Sequence, residues 1–425
     1  MEQTLCQQYT QILREEIVPA TGCTEPIAIA FCAASVRDVL GVQPTQITVS
    51  VSGNILKNVK SVVVPNTGGL KGISAAVAAG VVAGDASKAM QVISEVADAR
   101  KEAIAAFLSN TPIEIVCADT DCALYISITA YARKSYARVT VANNHSNIVE
   151  VMLNGETLLK KPLVAESEQS LTDKSCLNLH SIVAYADAVA LGTVKDLLDL
   201  QISCNMAICE EGIKHPWGAN IGKVILDEDP HDAKTLAKAY AAAGSDARMS
   251  GCEMPVAILC GSGNQGITAS VPVVVYAREC NIQKERLYRA LLVSNLLTVY
   301  QKAGIGRLSA YCGAISAGCA AGAGIAYLLG GDETVVAHTL VNAIAMISGT
   351  ICDGAKPSCA AKIAAAVETG ILGYRMFLHE QQFYRGEGIV APDADATIRN
   401  VGVLASVGMH ETDQTILRLM QQDCK

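Results

Sequence analysis

The sequence predicts an α+β N-terminal part with a small mixed or antiparallel sheet, followed by a mostly α-helical C-terminal part. Three observations predict it. Short alternating apolar runs with turn residues between them crowd the chain up to Lys160. The texture then changes at the polar stretch KKPLVAESEQSLTDKS, which reads as a linker. Beyond it, almost every apolar pattern has the helical period. The predicted division is therefore an α+β domain over 1–165 and a mostly helical domain over 166–425.

Taken in order, residues 2–17 and 25–40 read as helices, separated by VPATGCT, where Pro19 and Gly22 break the pattern. ITVSVS (47–52) alternates as a strand, and VKSVVVP (59–65) reads as its partner. NTGGLKG (66–72) then opens a small-residue helix, ISAAVAAGVVAG, and a further helix is expected from Ser87 to Leu108. IEIVCA, ALYISITAYA, YARVTVA and IVEVMLNGETLL follow as strand-like runs. Within the last of these, Asn154-Gly155 is the pair a tight hairpin needs, because both central residues want positive φ. No fixed-period repeat interrupts this order.

Composition excludes several classes. Hydrophobic residues make up 51% of the 425, but aromatic residues only 4%, so the expected core is close-packed helices with small contact residues. Net charge is −8 with no basic stripe, which argues against a nucleic-acid partner. Mean hydropathy is +0.30, and Met254–Ala277 and Leu308–Gly331 run without a charge, so a membrane span has to be weighed. Both stretches are rich in Gly, Ala, Ser and Asn and lack basic flanks or an aromatic belt, so buried helices are expected instead. The stretch MEQTLCQQYTQILREEI reads as a polar amphipathic helix without a signal-peptide apolar run, so a reducing cytoplasm is expected. There, sixteen cysteines are fillers, catalysts or metal ligands and not a disulfide scaffold.

Two C-x6-C pairs stand out, YCGAISAGC (Cys312, Cys319) and TICDGAKPSC (Cys352, Cys359). Zinc sites use tighter spacing, whereas iron–sulfur ligands can come from separate loops. On spacing alone, buried small residues remain the alternative for all four. Context separates them. Cys319 sits inside an unbroken small-residue helix, where a thiol packs. Cys352 and Cys359 bracket a loop forced by Gly354 and Pro357, and Cys312 stands where a helix begins. Cys312, Cys352 and Cys359 are therefore the candidate metal and cofactor ligands.

With these motifs the sequence resembles a known family. ATGCTEP, SGNILKNVKSVVVPNTGG, CGSGNQG, CGAISAGC and CDGAKPSC, in that order, resemble the L-cysteine desulfidase family, which is related to the catalytic chain of the iron–sulfur L-serine dehydratases. The resemblance implies a [4Fe-4S] cluster on Cys312, Cys352 and Cys359, and Cys23 as proton acceptor. It also implies β-elimination from a small amino acid, L-cysteine or L-serine, giving pyruvate. The expected partner is a small amino-acid substrate, with a homo-oligomer left open by the sequence. Three thiolates on a four-iron cluster leave one iron open, a Lewis acid for the leaving group. Cys23 precedes EPIAIAFCAASV, where the field of a helix N-terminus lowers a thiol's pKa; a thiol filling a tight turn is the bland alternative. None of the seven histidines lies in an obvious motif, His215 in IKHPWGAN being the most suggestive. The penultimate Cys424 is a further thiol that a mobile chain end could bring to the open iron.

Two glycine loops are candidates for holding the substrate. CGSGNQG fits G-x-G-x-x-G, but its flanks read as helical and no second strand follows, so a dinucleotide site is rejected. A helix start can instead cradle a carboxylate, with Ser262, Gly263, Asn264 and Gln265 supplying donors; a glycine-lined helix crossing is the alternative. Asn66, Thr67 and Gly68 of NTGGLKG are built alike, with Lys71, Asn54 and Asn58 weaker candidates, which suggests a cleft between the two parts. Competing functions are an iron–sulfur sensor or structural protein with four protein ligands, and less favoured, a pyridoxal-phosphate lyase using Lys71 or Lys356, or an NAD enzyme. Iron and sulfide analysis separates the pyridoxal enzyme, and a spectral response to amino acids separates the sensor.

Overall fold

The computed structural model describes residues 3–21, 24–120, 122, 124–163, 172–306 and 309–422. Cys23, Cys424 and half of the predicted linker (164–171) lie outside the described residues. The chain opens with helix α1 (Gln3–Glu16), strand β1 (Val18–Thr21) and helix α2 (Thr24–Leu40). Strand β2 (Gln46–Val51) leads through α3 (Gly53–Val59), α4 (Gly72–Ala83) and α5 (Asp98–Asn110) to β3 (Ile113–Cys117), which pairs parallel with β2. Strands β4 (Tyr125–Ala132), β5 (Ser135–Ala142), β6 (Ile148–Leu153) and β7 (Glu156–Lys160) then add antiparallel. The result is a six-stranded mixed sheet of order β3-β2-β4-β5-β6-β7. Asn154 and Gly155 have φ of 51° and 90° and close the β6–β7 hairpin, as their identity predicts.

The second part is helical. It runs α6 (Leu179–Ala188), α7 (Lys195–Lys214), α8 (Ile221–Leu226), α9 (Ala233–Met249), the short strand β8 (Pro255–Ile258), α10 (Gly263–Glu279) and α11 (Lys284–Ile305). There follow α12 (Gly313–Leu328), α13 (Glu333–Ile347), α14 (Cys359–Leu378), α15 (Ala394–Val403) and α16 (His410–Gln422). Residues between Ile27 and Leu153 form one apolar core around α2, α4 and the sheet, and a second core joins α1 to helices α6, α7 and α9–α16. No helix among the described residues is long and apolar enough to cross a membrane.

The small residues of α12 set the helix spacing. A Cβ on Gly318 would lie 2.5 Å from the Ala366 Cβ, and one on Gly322 would lie 2.2 Å from the Gly370 carbonyl oxygen. Contact positions advance together along α12 and α14, so the two helices run parallel with their N-termini at the same end. Cys312 caps α12 and Cys359 begins α14, so this packing carries both thiols to one place.

Four local expectations are corrected. VKSVVVP forms no partner strand; α3 ends at Val59, and only an isolated bridge, Val63 to Lys71, follows. The helix expected from Ser87 is a short 3-10 turn over Ala86–Gln91, and α5 starts at Asp98. The break after α1 contains strand β1, which pairs antiparallel with β8. The flanks of CGSGNQG are thus strand and helix, not helical throughout, and Met254–Ala277 is no single helix. The β8 partner is antiparallel, so the motif still lacks the parallel β-α-β unit of a dinucleotide site.

Candidate active site

Backbone pairing brings the first two candidate ligands side by side. The Cys312 N–H donates to the Thr350 carbonyl at 3.1 Å, and the Cys352 N–H to the Ala310 carbonyl at 2.5 Å. Between Cys352 and Cys359 the chain turns at Gly354, with φ of 93°. A Cβ there would stand 2.0 Å from the Lys57 carbonyl oxygen, so the loop lies directly on α3. Asp353 ties the loop together, accepting from Lys356 and from Lys362 Nζ at 2.6 Å. Burial disfavours its carboxylate, but those two ammonium groups outweigh burial and its pKa falls.

Cys312, Cys352 and Cys359 line one cavity of about 140 Å3. Glu25, Lys57, Asn58, Arg248, Lys302 and Tyr311 contribute to its walls, as do Cys260, Ser262, Asn264 and Gln265. The cavity is therefore built by α2 and α3 from one part and by the starts of α10, α12 and α14 from the other. Lys57 is 2% exposed and pairs with Asp413 of α16 at 2.6 Å. Lys302 is 6% exposed and donates to the Gly306 carbonyl at 2.6 Å, at the C-terminal end of α11, where a cation is favoured. Burial lowers its pKa.

The three thiols are electrostatically distinct. The Cys312 thiol donates a hydrogen bond to Cys352, which raises the pKa of the donor and lowers that of the acceptor. Burial opposes the lowering at Cys352, while the Lys57 and Lys302 charges and the Gly354 N–H reinforce it. Burial pushes the Cys359 thiol up. By contrast, Cys319 is buried inside α12 and pushed up to about 12 by burial, an inert packing thiol.

Among the described residues, no three His, Cys, Asp or Glu side chains converge closely enough to hold a single metal ion. A four-iron cluster asks for something different, since each thiolate would bind a separate iron. Three thiols around one cavity, inside a shell of buried cations, fit that donor set and its negative charge.

At the other wall, Ser262 caps α10 and its hydroxyl accepts from the Gln265 N–H at 3.4 Å. Gly266 packs against β8, where a Cβ would lie 2.0 Å from the Ala257 carbonyl oxygen. Gly263 admits Arg248, whose Nε would lie 2.3 Å from a Cβ at that position. The Arg248 Nη1 donates to Asn264 Oδ1 at 3.4 Å. Ser262, Asn264, Gln265 and Asn58 thus line the cavity, and Gly263 begins the helix beside it.

Asn66, Thr67 and Gly68 are not among the residues lining this cavity. The Asn66 amide donates to the Ile93 carbonyl at 2.9 Å, tying its loop to the segment before α5, and the Thr67 hydroxyl donates to the Val64 carbonyl at 2.7 Å within its own loop. Lys57, Arg248 and Lys302 went unrecognised in the sequence. The signal available was charge inside an otherwise small-residue or apolar stretch, as with Asp246 and Arg248 in AAAGSDARMSG.

Fold and site together define a class: an α+β protein whose parallel helices deliver two of three thiols to a pocket lined by Lys57, Arg248 and Lys302. The chain belongs to the serine dehydratase alpha chain family, whose model matches residues 87–418. The matched span contains all three candidate ligands and the α10 loop. Over nearly its whole length the chain is also similar to UPF0597 proteins. That of Desulfitobacterium hafniense (strain Y51) is 54% identical over 418 residues, covering 98% of this chain and 97% of the relative. That of Treponema denticola is 44% identical over 423 residues, covering 98% of each. That of Bacteroides thetaiotaomicron is 36% identical over 421 residues, covering 97% of each.

Proposed function

We propose that this chain is a lyase that eliminates the β-substituent of a small amino acid: L-cysteine to pyruvate, ammonia and sulfide, or L-serine to pyruvate and ammonia. The observation that carries this reading is that Cys312, Cys352 and Cys359 line one cavity with buried cations. In this reading the three thiolates hold a [4Fe-4S] cluster. When bound, the cluster supplies a Lewis-acidic iron that polarises the departing thiol or hydroxyl.

The remaining work falls to the chain. The N-terminal N–H groups of α10 and the Arg248 guanidinium hold the carboxylate, fixing the Cα–H direction. Cys23, which immediately precedes α2 in sequence, accepts the Cα proton on Sγ. A thiolate is favoured at such a helix start. Buried walls exclude water during the elimination, and the enamine product hydrolyses outside. Free thiols at the site require a reducing compartment, so we assign the protein to the cytoplasm.

The test is anaerobic reconstitution followed by pyruvate and sulfide assays on L- and D-cysteine and L- and D-serine. Cys312→Ser, Cys352→Ser and Cys359→Ser are expected to lose iron, and Cys319→Ala to keep it. A full cluster with no pyruvate from any substrate would defeat the lyase reading.

A further inference from the structure

We propose that Gln265 recognises the substrate's α-ammonium group, making the cavity selective for α-amino acids over acids of the same shape without the amine. The inference deepens the lyase reading and rests on it for what the cavity binds. Gln265 lies in the first turn of α10, is 5% exposed and lines the cavity. Its side-chain Oε1 is buried with no hydrogen-bond partner among the described residues. A buried amide oxygen without a donor is costly, and such groups call for a specific reason.

The side chain has little freedom to turn away and find a donor. A Cβ on Gly313 would stand 2.6–2.8 Å from the Gln265 amide atoms, so the amide packs directly on the start of α12, next to Cys312. No described residue supplies that donor, and the adjoining cavity is where a ligand would bring one. The surroundings name the ligand's other half. Arg248 packs on the N-terminus of α10, so a guanidinium and a positive helix end converge, an arrangement that an anion stabilises. The Gln265 and Gly266 N–H groups both bond to Ser262, leaving those of Gly263 and Asn264 as the pair an anion would take. An α-amino acid carries an anion and a cation on the same carbon. Its carboxylate fits the helix end, and its ammonium fits Oε1 within the same turn. Glu25 lines the same cavity and supplies the ammonium with counter-charge.

The test is calorimetric binding to the anaerobically reconstituted full-length protein. L-Alanine serves as a ligand with no leaving group, propionate as its form without the amine, and ethylamine as its form without the carboxylate. Wild type is expected to bind L-alanine at least about tenfold more tightly than propionate, the size of a hydrogen bond to a charged group. Gln265→Met keeps length and loses the acceptor, so the preference should fall towards unity with propionate affinity unchanged. Gln265→Glu keeps an acceptor and should keep the preference. Equal wild-type affinity for L-alanine and propionate overturns the proposal without any variant. So does Gln265→Met retaining the preference, or losing affinity for propionate, which would assign the amide to the carboxylate. Serine and cysteine turnover, measured alongside, separates the two readings. Amine selectivity without pyruvate defeats only the lyase; pyruvate with an unaltered preference in Gln265→Met defeats only this inference.

Discussion

Gly354 is the residue at which one added atom would reach furthest into the site. Its φ of 93° is disfavoured for any side chain, and a Cβ would strike the Lys57 carbonyl at 2.0 Å. Gly354→Ala should cost about 1–3 kcal/mol and lift the loop from α3, pulling Cys352 away from Cys312. Denaturant midpoint and iron per chain measure both effects; an unchanged iron content would show that the loop's seat on α3 does not set the ligand geometry. At this scale the cysteines were legible, because Gly354 and Pro357 mark a loop and thiols are chemically distinctive. The cations were not, since Lys57 and Lys302 look like surface residues until packing buries them. Asn66 and Thr67, polar groups beside glycines, lie outside the cavity and hydrogen-bond to the Ile93 and Val64 carbonyls.

At the scale of elements, α12 and α14 meet backbone to backbone. Gly322→Ala would place a methyl 2.2 Å from the Gly370 carbonyl oxygen and force the helices apart, at about 1–3 kcal/mol. Because the two N-termini carry Cys312 and Cys359, iron content should fall together with the melting temperature. Gly192→Ala, with nothing within 4 Å of the new Cβ, is the control and should stay within about 0.5 kcal/mol of wild type. A second link is titratable. Asp199 of α7 accepts from Tyr288 at 2.5 Å and pairs with Lys284 at 2.9 Å, both on α11. The Tyr288 hydrogen bond, with help from Lys284 and from Lys195 on α7 and against burial, lowers its pKa from 3.8 to about 2. A carboxylate depressed on folding contributes stability above its unfolded pKa and loses it as pH falls through its folded one. The stability gap between wild type and Asp199→Asn should therefore hold at neutral pH and close from about 4 down to about 2. A gap independent of pH over that range would refute the assignment. Helical texture made these elements readable in the sequence. Strand β1 was not, because its four residues pair only with β8, far along the chain, and no local pattern records that.

For the whole molecule, the decisive contact is between the chain's two ends of the site. Lys57 of α3 is buried and pairs with Asp413 of α16, while Gly53, also on α3, lies against Leu417, whose Cδ1 would be 2.5 Å from an added Cβ. The C-terminal helix thus closes over the helix that carries a cation to the cavity. Asp413→Leu would leave the Lys57 ammonium buried without its partner, a loss on the order of 3–5 kcal/mol. Replacing both, Lys57→Met with Asp413→Leu, removes the charge together with its partner and should restore most of that stability. The double variant should nevertheless incorporate iron poorly, because the Lys57 charge that favours the Cys352 thiolate is gone. Denaturation curves and iron analysis on the four members of the cycle therefore move in different directions. If stability and iron content recover together in the double variant, Lys57 is only a packing residue, and the cationic shell around the thiols does not help to hold the cluster.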